Sequence, residues 1–135
     1  MRLKIYSDGG ARGNPGPAAT GVVIKDKDNK IVAEFGEYLG NQTNNFAEYQ
    51  AFISGLKIAK TLGATEVESL VDSQLLEKQM KREWKVKEPT LQKLFIEAWN
   101  AMQEFKKVEI KHIRREYNKE ADAWVNKTLD QHKTS

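Results

Sequence analysis

Residues 2–8, RLKIYSD, alternate Leu3 and Ile5 with polar neighbours and stop at Gly9-Gly10. That period of two is the mark of a strand with one buried face. After the loop Gly9–Pro17, residues 19–25 and 31–39 read as two further strands. They are joined by Asp26-Lys27-Asp28-Asn29, a turn-rich connection, and the three strands make an antiparallel meander. A helix is predicted from about Asn45 to Leu62, capped by Thr43 or Asn44 and closed by Gly63. Ala51, Phe52, Leu56 and Ala59 form its buried stripe. EVESLVD at 66–72 is a fourth strand, and a short helix begins near Ser73. Pro89-Thr90 opens another helix, with Leu91, Leu94, Phe95, Ala98 and Met102 on one face. Val108, Ile110 and His112 share one side of a fifth strand. A last helix follows Asn118 and is expected to bury Ala121, Trp124, Val125 and Leu129, with fraying from about residue 130 to 135.

Connection rules turn these elements into a topology. The third strand of a meander runs parallel to the first. A right-handed crossover through the helix at 45–62 then delivers a fourth strand parallel to the first and beside it. The expected architecture is α/β, a five-stranded mixed sheet of order 3-2-1-4-5 flanked by helices, in a single domain over 1–135. Asp8 and Asp72 then stand at the carboxyl ends of adjacent parallel strands, where ligands of α/β sheets collect. Glu48 and Asp122 are expected in the first turns of their helices, where the positive end of the macrodipole favours an anion.

Composition narrows the chemistry. The 135 residues carry a formal charge of +3, with 39% apolar and 30% charged side chains, as in a folded globular protein. Cysteine is absent, which excludes a disulfide framework, a zinc–cysteine site and thiol catalysis. No apolar run approaches ~18 residues, and MRLKIYSDGG has no signal-like apolar core, so a cytoplasmic protein without a membrane span is expected. Charge is uneven: residues 1–75 hold 8 basic and 9 acidic side chains, residues 76–135 hold 14 and 10. Lys78, Lys81, Arg82, Lys85, Lys87 and Lys93 cluster with only Glu83 and Glu88 between them. Such a segment either solvates a helix face or holds a polyanion.

Clustered acids raise an electrostatic problem. Two carboxylates about 4 Å apart repel by roughly 4 kcal/mol at an effective dielectric near 20. They must take up protons or hold cations. An all-oxygen ligand set points to Mg²⁺ or Mn²⁺, and a pair of such ions is suited to hydrolysing a phosphodiester. The physical reading is a metal-dependent nuclease, with Asp8, Glu48, Asp72 and Asp122 as ligands.

YSDGGARGNPGPAATGVV, TNNFAEYQA, VDSQLL and NKEADAWVN stand in the order and approximate spacing of type 1 ribonuclease H. The resemblance runs from about residue 2 to 128 and is greatest to compact bacterial and archaeal members without the basic protrusion. It implies an endonuclease that cleaves the RNA strand of RNA–DNA hybrids, leaving 5′-phosphate and 3′-hydroxyl ends, with two metal ions per site. By that resemblance Asp8 bridges both ions, Glu48 and Asp72 serve the leaving-group metal, and Asp122 serves the metal that activates water. Gly10, Asn14, Asn44, Asn45 and Gln74 match positions that contact the hybrid's minor groove or backbone, and Gly9 is grouped with them. Asn14 and Thr43 match positions near a DNA-strand phosphate. Short polar side chains can read the 2′-hydroxyls of RNA without selecting a base.

Two assignments stay open at this level. Trp84 either packs against the DNA sugar face, with Lys85 and its basic neighbours on phosphates, or is a half-buried helix-end residue. Many family members carry a histidine before the last acid, and here that stretch reads RREYNKEAD. Arg115 either approaches the leaving phosphate in its place or is a surface charge; it cannot act as a base. His112 reads as a sheet residue and His132 as part of the tail. A monomer is expected. The alternatives are a hybrid or double-stranded-RNA binding module without catalysis, and a transposase or resolvase relative.

Overall fold

Strand β1 (Arg2–Ala11) pairs antiparallel with β2 (Gly16–Lys25) in register from Lys4↔Lys25 to Ala11↔Ala18. The computed structural model describes residues 1–132. Both strands reach further into the glycine-rich loop than expected, because backbone pairing continues through Gly9↔Thr20 and Gly10↔Ala19, and Arg12 N–H donates to the Pro17 carbonyl at 2.8 Å. Glycines carry no alternating side chains, so sequence periodicity stops before the ladder does.

The third predicted strand is two strands, β3 (Ile31–Phe35) and β4 (Tyr38–Gln42), both antiparallel to β2. The break at Gly36-Glu37 has a specific cause. Thr20 of β2 takes Glu37 by two bonds, its N–H donating to the Glu37 carbonyl (2.9 Å) and its hydroxyl accepting from Glu37 N–H (3.0 Å). β5 (Glu66–Val71) lies parallel to β1, and β6 (Lys107–His112) lies parallel to β5. Among the described residues the sheet therefore has six strands rather than five. Its path is β3-β2-β1-β5-β6, with β4 beside β2. The sequence-derived order 3-2-1-4-5 matches that path once its strand four is read as β5 and its strand five as β6.

Helix α1 (Asn44–Thr61) starts at Thr43, whose hydroxyl accepts from Phe46 N–H, and stops before Gly63, at φ 94°. α2 (Gln74–Met80) is capped by Ser73. α3 (Pro89–Met102) is capped by the Glu88 carboxylate, which accepts from Thr90 and Leu91 N–H and is held below the usual range by those donors. After a 3-10 turn at Arg115–Tyr117, α4 (Lys119–Gln131) completes the described chain. It runs through 130 and 131, where the sequence predicts fraying; the rest of that expectation, at 133–135, lies outside the described residues.

The main core sits on one face of the sheet, where Leu3, Ile5, Val22, Ile24, Val67 and Val71 meet α1 and α3 through Phe52, Ile53, Leu56, Leu91, Leu94 and Ala98. α4 covers the other face over β2 and β1 with a small cluster, Ala19, Val125 and Leu129. Trp124 is a correction. It is half-buried at the rim rather than in the core, its indole N–H donating to Glu34 (2.8 Å) and Lys127 lying over its ring. Thr128 is buried on that helix face instead.

Candidate active site

The parallel ladder between β1 and β5 ends at Ser7↔Val71, so the next residues, Asp8 and Asp72, emerge side by side. Asp8 is not at the end of its strand, because β1 continues to Ala11 paired with β2. It is at the end of the parallel ladder, which is the boundary that matters. One carboxylate oxygen from each of Asp8, Glu48 and Asp72 lies within 4.8 Å of the other two.

Glu48 reaches this point from α1, and its position corrects an expectation. The helix begins at Asn44, which leaves no acid in its first turn and puts Glu48 in the second. What holds Glu48 is a backbone donor, since Gly9 N–H bonds both Glu48 Oε1 (2.7 Å) and Asp8 Oδ1 (2.9 Å). The approach requires glycine. A Cβ on Gly9 would sit 2.2 Å from the Ala47 carbonyl carbon and 2.4 Å from Glu48 N.

A second glycine places the fourth acid. Gly21 is the β2 partner of Asp8, and a Cβ there would lie 1.9 Å from the Ala121 carbonyl oxygen. The first turn of α4 thus seats on bare backbone next to Asp8, with Asp122 in that turn as predicted. Asp122 is outside the three-residue group but close enough to act on Asp8 by charge and contact. Asn126 Nδ2 donates to the Asp122 carbonyl (3.1 Å) and carboxylate (3.3 Å).

Burial first, then the charges of Asp72 and Asp122, push Asp8 up to about 7. Burial and the charges of Asp8 and Asp72 likewise raise Glu48 well above the ordinary carboxylate range, against the pull of Gly9 N–H. Acids so arranged hold protons near neutrality unless a cation replaces them. The donor set is hard oxygen throughout, without cysteine in the chain or histidine in the group, and fits a divalent cation.

Sequence patterns do not reveal Asn118, Asn126 or Gly21 as parts of the site. Asn118 stands in the sequence only as a helix boundary. In the fold it is 1% exposed, and its Nδ2 donates to the Ser7 carbonyl (2.9 Å) and Asp72 Oδ2 (3.0 Å).

The polar residues around the acids bind one another first. Asn14 Oδ1 accepts from Asn44 N–H (3.0 Å), and Asn44 Oδ1 accepts from Ala11 N–H (2.8 Å), tying the hairpin to the start of α1. Thr43 caps α1, while Asn45 and Gln74 are exposed at the starts of α1 and α2. Gly10 faces α4, where a Cβ would meet Val125 at 3.4 Å.

Known proteins share this fold and much of this sequence. The family described as reverse transcriptase-like matches residues 6–128. The crystal structure of RNase H1 from Halobacterium salinarum is 42% identical, with a TM-score of 0.95, covering 97% of this chain and 99% of that one. The chain belongs to the ribonuclease H family. LC11-RNase H1, solved in complex with an RNA/DNA hybrid, is 42% identical with a TM-score of 0.93, covering 98% of this chain and 99% of that chain. Among curated relatives, ribonuclease HI of H. salinarum is 43% identical over 129 residues, and a bifunctional protein of Mycobacterium tuberculosis is 42% identical over 131. Each match takes in 96% of this chain, yet only 65% of the former relative and 36% of the latter.

The remaining residues that the ribonuclease H pattern singles out lie further from the acids in sequence. Trp84 is 45% exposed in the segment after α2 and lines a cleft of about 620 Å³ with Arg82, Lys85, Val86, Phe95 and Ile96. Lys78 and Lys81 pair with Glu77, and Lys78 also with Glu83, so the basic segment is partly neutralised at the end of α2. Arg115 is exposed in the 3-10 turn, its carbonyl accepting from Asn118 N–H. His112 ends β6 and is exposed, while His132 stacks on Tyr38 with ring centroids 4.2 Å apart rather than trailing in a tail.

Proposed function

We propose that the chain is an endonuclease that hydrolyses the RNA strand of RNA–DNA hybrids, leaving 5′-phosphate and 3′-hydroxyl ends. The observation that carries this reading is the convergence of Asp8, Glu48 and Asp72 within 4.8 Å, with Asp122 beside Asp8. It is supported by the 42% identity to a relative solved with an RNA/DNA hybrid. Mg²⁺ or Mn²⁺, two ions per site, supplies the Lewis-acid charge when bound. Asp8, Glu48, Asp72 and Asp122 hold it; Gly9 N–H fixes two of these carboxylates in place.

Hybrid recognition is assigned to Gly9, Gly10, Asn14, Thr43, Asn44, Asn45 and Gln74. The oxygens of Asn14 and Asn44 are engaged internally, which orients their side chains, and their amide nitrogens are assigned to the substrate. Trp84 and Lys85 extend this surface along the DNA strand, and Arg115 assists release of the cleaved phosphate. We read residues 1–132 as one domain, because all six strands share one sheet. A monomeric, cytoplasmic protein is the accompanying reading; among the described residues no helix is long and apolar enough to cross a membrane.

A panel of hybrid, double-stranded RNA, single-stranded RNA and DNA duplex, each with Mg²⁺ and with Mn²⁺, tests the proposal. Cleavage is expected in the RNA strand of the hybrid. Tight hybrid binding without cleavage under both metals would move the chain to the class of binding modules.

A further inference from the structure

Asn118 occupies the residue before α4, where an asparagine ordinarily caps the helix with its side-chain oxygen. Here it makes no such bond. Its side chain turns inward instead. The amide nitrogen has two hydrogens, and both are used, one on the Ser7 carbonyl at 2.9 Å and one on Asp72 Oδ2 at 3.0 Å. The orientation is fixed by those partners, because a flipped amide would press its oxygen against two oxygens. Meanwhile the Asn118 carbonyl accepts from Asp122 N–H at 3.0 Å. One residue thereby bonds the backbone next to Asp8, the side chain of Asp72 and the backbone of Asp122.

The arrangement carries a cost. Asn118 Oδ1 is buried and, among the described residues, has no hydrogen-bond partner. Together with the forgone cap, an unpaired buried oxygen destabilises the fold, and such groups persist where they serve a function. A residue kept only to close the helix would have used its oxygen on the cap.

We propose that Asn118 is a positioning residue that orients the Asp72 carboxylate and keeps it in register with Asp8 and Asp122 for divalent-cation binding. The inference rests on the nuclease reading of this site and adds to it a residue outside the four acids. Removing a donor that orients a metal-binding carboxylate lowers metal affinity or activity by about 10- to 100-fold.

The test is a double-mutant cycle between Asn118→Ala and Asp72→Ala, read in two ways. Without substrate, the midpoint of a Mg²⁺ titration followed by calorimetry should move up about 10- to 100-fold in Asn118→Ala. In the Asp72→Ala background the same substitution should move it no further, since the partner is gone. With hybrid, kcat per folded molecule should fall while KM stays near wild type, the mark of an interaction that matters in the transition state. Should Asn118→Ala fail to fold, the Asn118 side-chain amide protons give the answer without it. In wild type they should exchange slowly, and in Asp72→Ala their signal should shift and exchange faster. An unmoved Mg²⁺ midpoint, additive effects, or an amide signal indifferent to Asp72→Ala would each overturn the proposal. A wild-type protein that cleaves no hybrid would sink the nuclease reading alone, because the Mg²⁺ midpoints and the amide signal are read without substrate.

Discussion

Asp8 carries a heavy electrostatic burden. Its proton leaves near 3.8 in an unfolded chain and is retained to about 7 in the fold, through burial and the neighbouring Asp72 and Asp122. The folded state therefore binds more protons than the unfolded state between those values. Without metal, stability is then greatest at the acid end of this window and falls as pH rises through it, by at most about 1.4 kcal/mol per pH unit for one proton. Glu48 is shifted the same way and adds to the trend. Thermal unfolding in a chelator at pH 5 and 7.5 should show this loss, and Asp8→Asn should show much less of it. Equal losses in the two proteins would mean that the acids do not share a site. The four acids are legible from their motif contexts. Asn118 is not, because its side chain abandons the local cap for partners 46 and 111 residues away.

At the scale of elements, two glycines set the distances on which the site depends. Gly9 admits α1 to the end of the β1–β5 ladder, and Gly21 admits the first turn of α4 beside Asp8. A methyl at Gly21 would meet the Ala121 carbonyl, which is backbone and cannot rotate away. Gly21→Ala should destabilise by about 3 kcal/mol, the upper end for overpacking, and should weaken stabilisation by Mg²⁺ as Asp122 is displaced. Circular dichroism melts with and without Mg²⁺ measure both; a variant that matches wild type in both would show that α4 has room to spare. Sequence patterns cannot show this role. Leu3 and Ile5 declare β1 by alternation, but Gly9, Gly10 and Gly21 have no side chain to enter a pattern. The split between β3 and β4 is hidden for a similar reason, since it depends on Thr20 bonding Glu37 and on Gly36 lying against Thr128 of α4. Local signals put the start of α1 one residue late, which is enough to assign Glu48 to the wrong turn. Local sequence shows which residues form an element; the partner element decides where it breaks.

Over the whole molecule, charge is sorted by place. The carboxylates gather at one end of the parallel ladder, and the basic segment after Lys78 lies beyond α2. Within it Lys78 and Lys81 are paired with acids. Lys85 and Lys87, which flank Val86 next to Trp84, are the lysines of this segment expected to meet phosphate. Hybrid binding by a cleavage-deficient Asp8→Asn protein should weaken with salt. Replacing Lys85 and Lys87 by Ala should lower the slope of log K against log salt by about 0.9 for each phosphate that these lysines neutralise. An unchanged slope would assign those lysines to solvation. Overall charge of +3 thus describes neither surface; it is what remains when an acidic centre and a basic approach are added together.

The most direct measurement is cleavage of an end-labelled RNA–DNA hybrid in Mg²⁺, with wild type and Asp8→Asn side by side. Wild type should yield RNA fragments with 5′-phosphate ends and leave the DNA strand intact, and the variant should give at least a thousandfold less product, of order 4 kcal/mol in transition-state stabilisation. Equal cleavage by the two proteins, or none by the wild type, would contradict the nuclease reading.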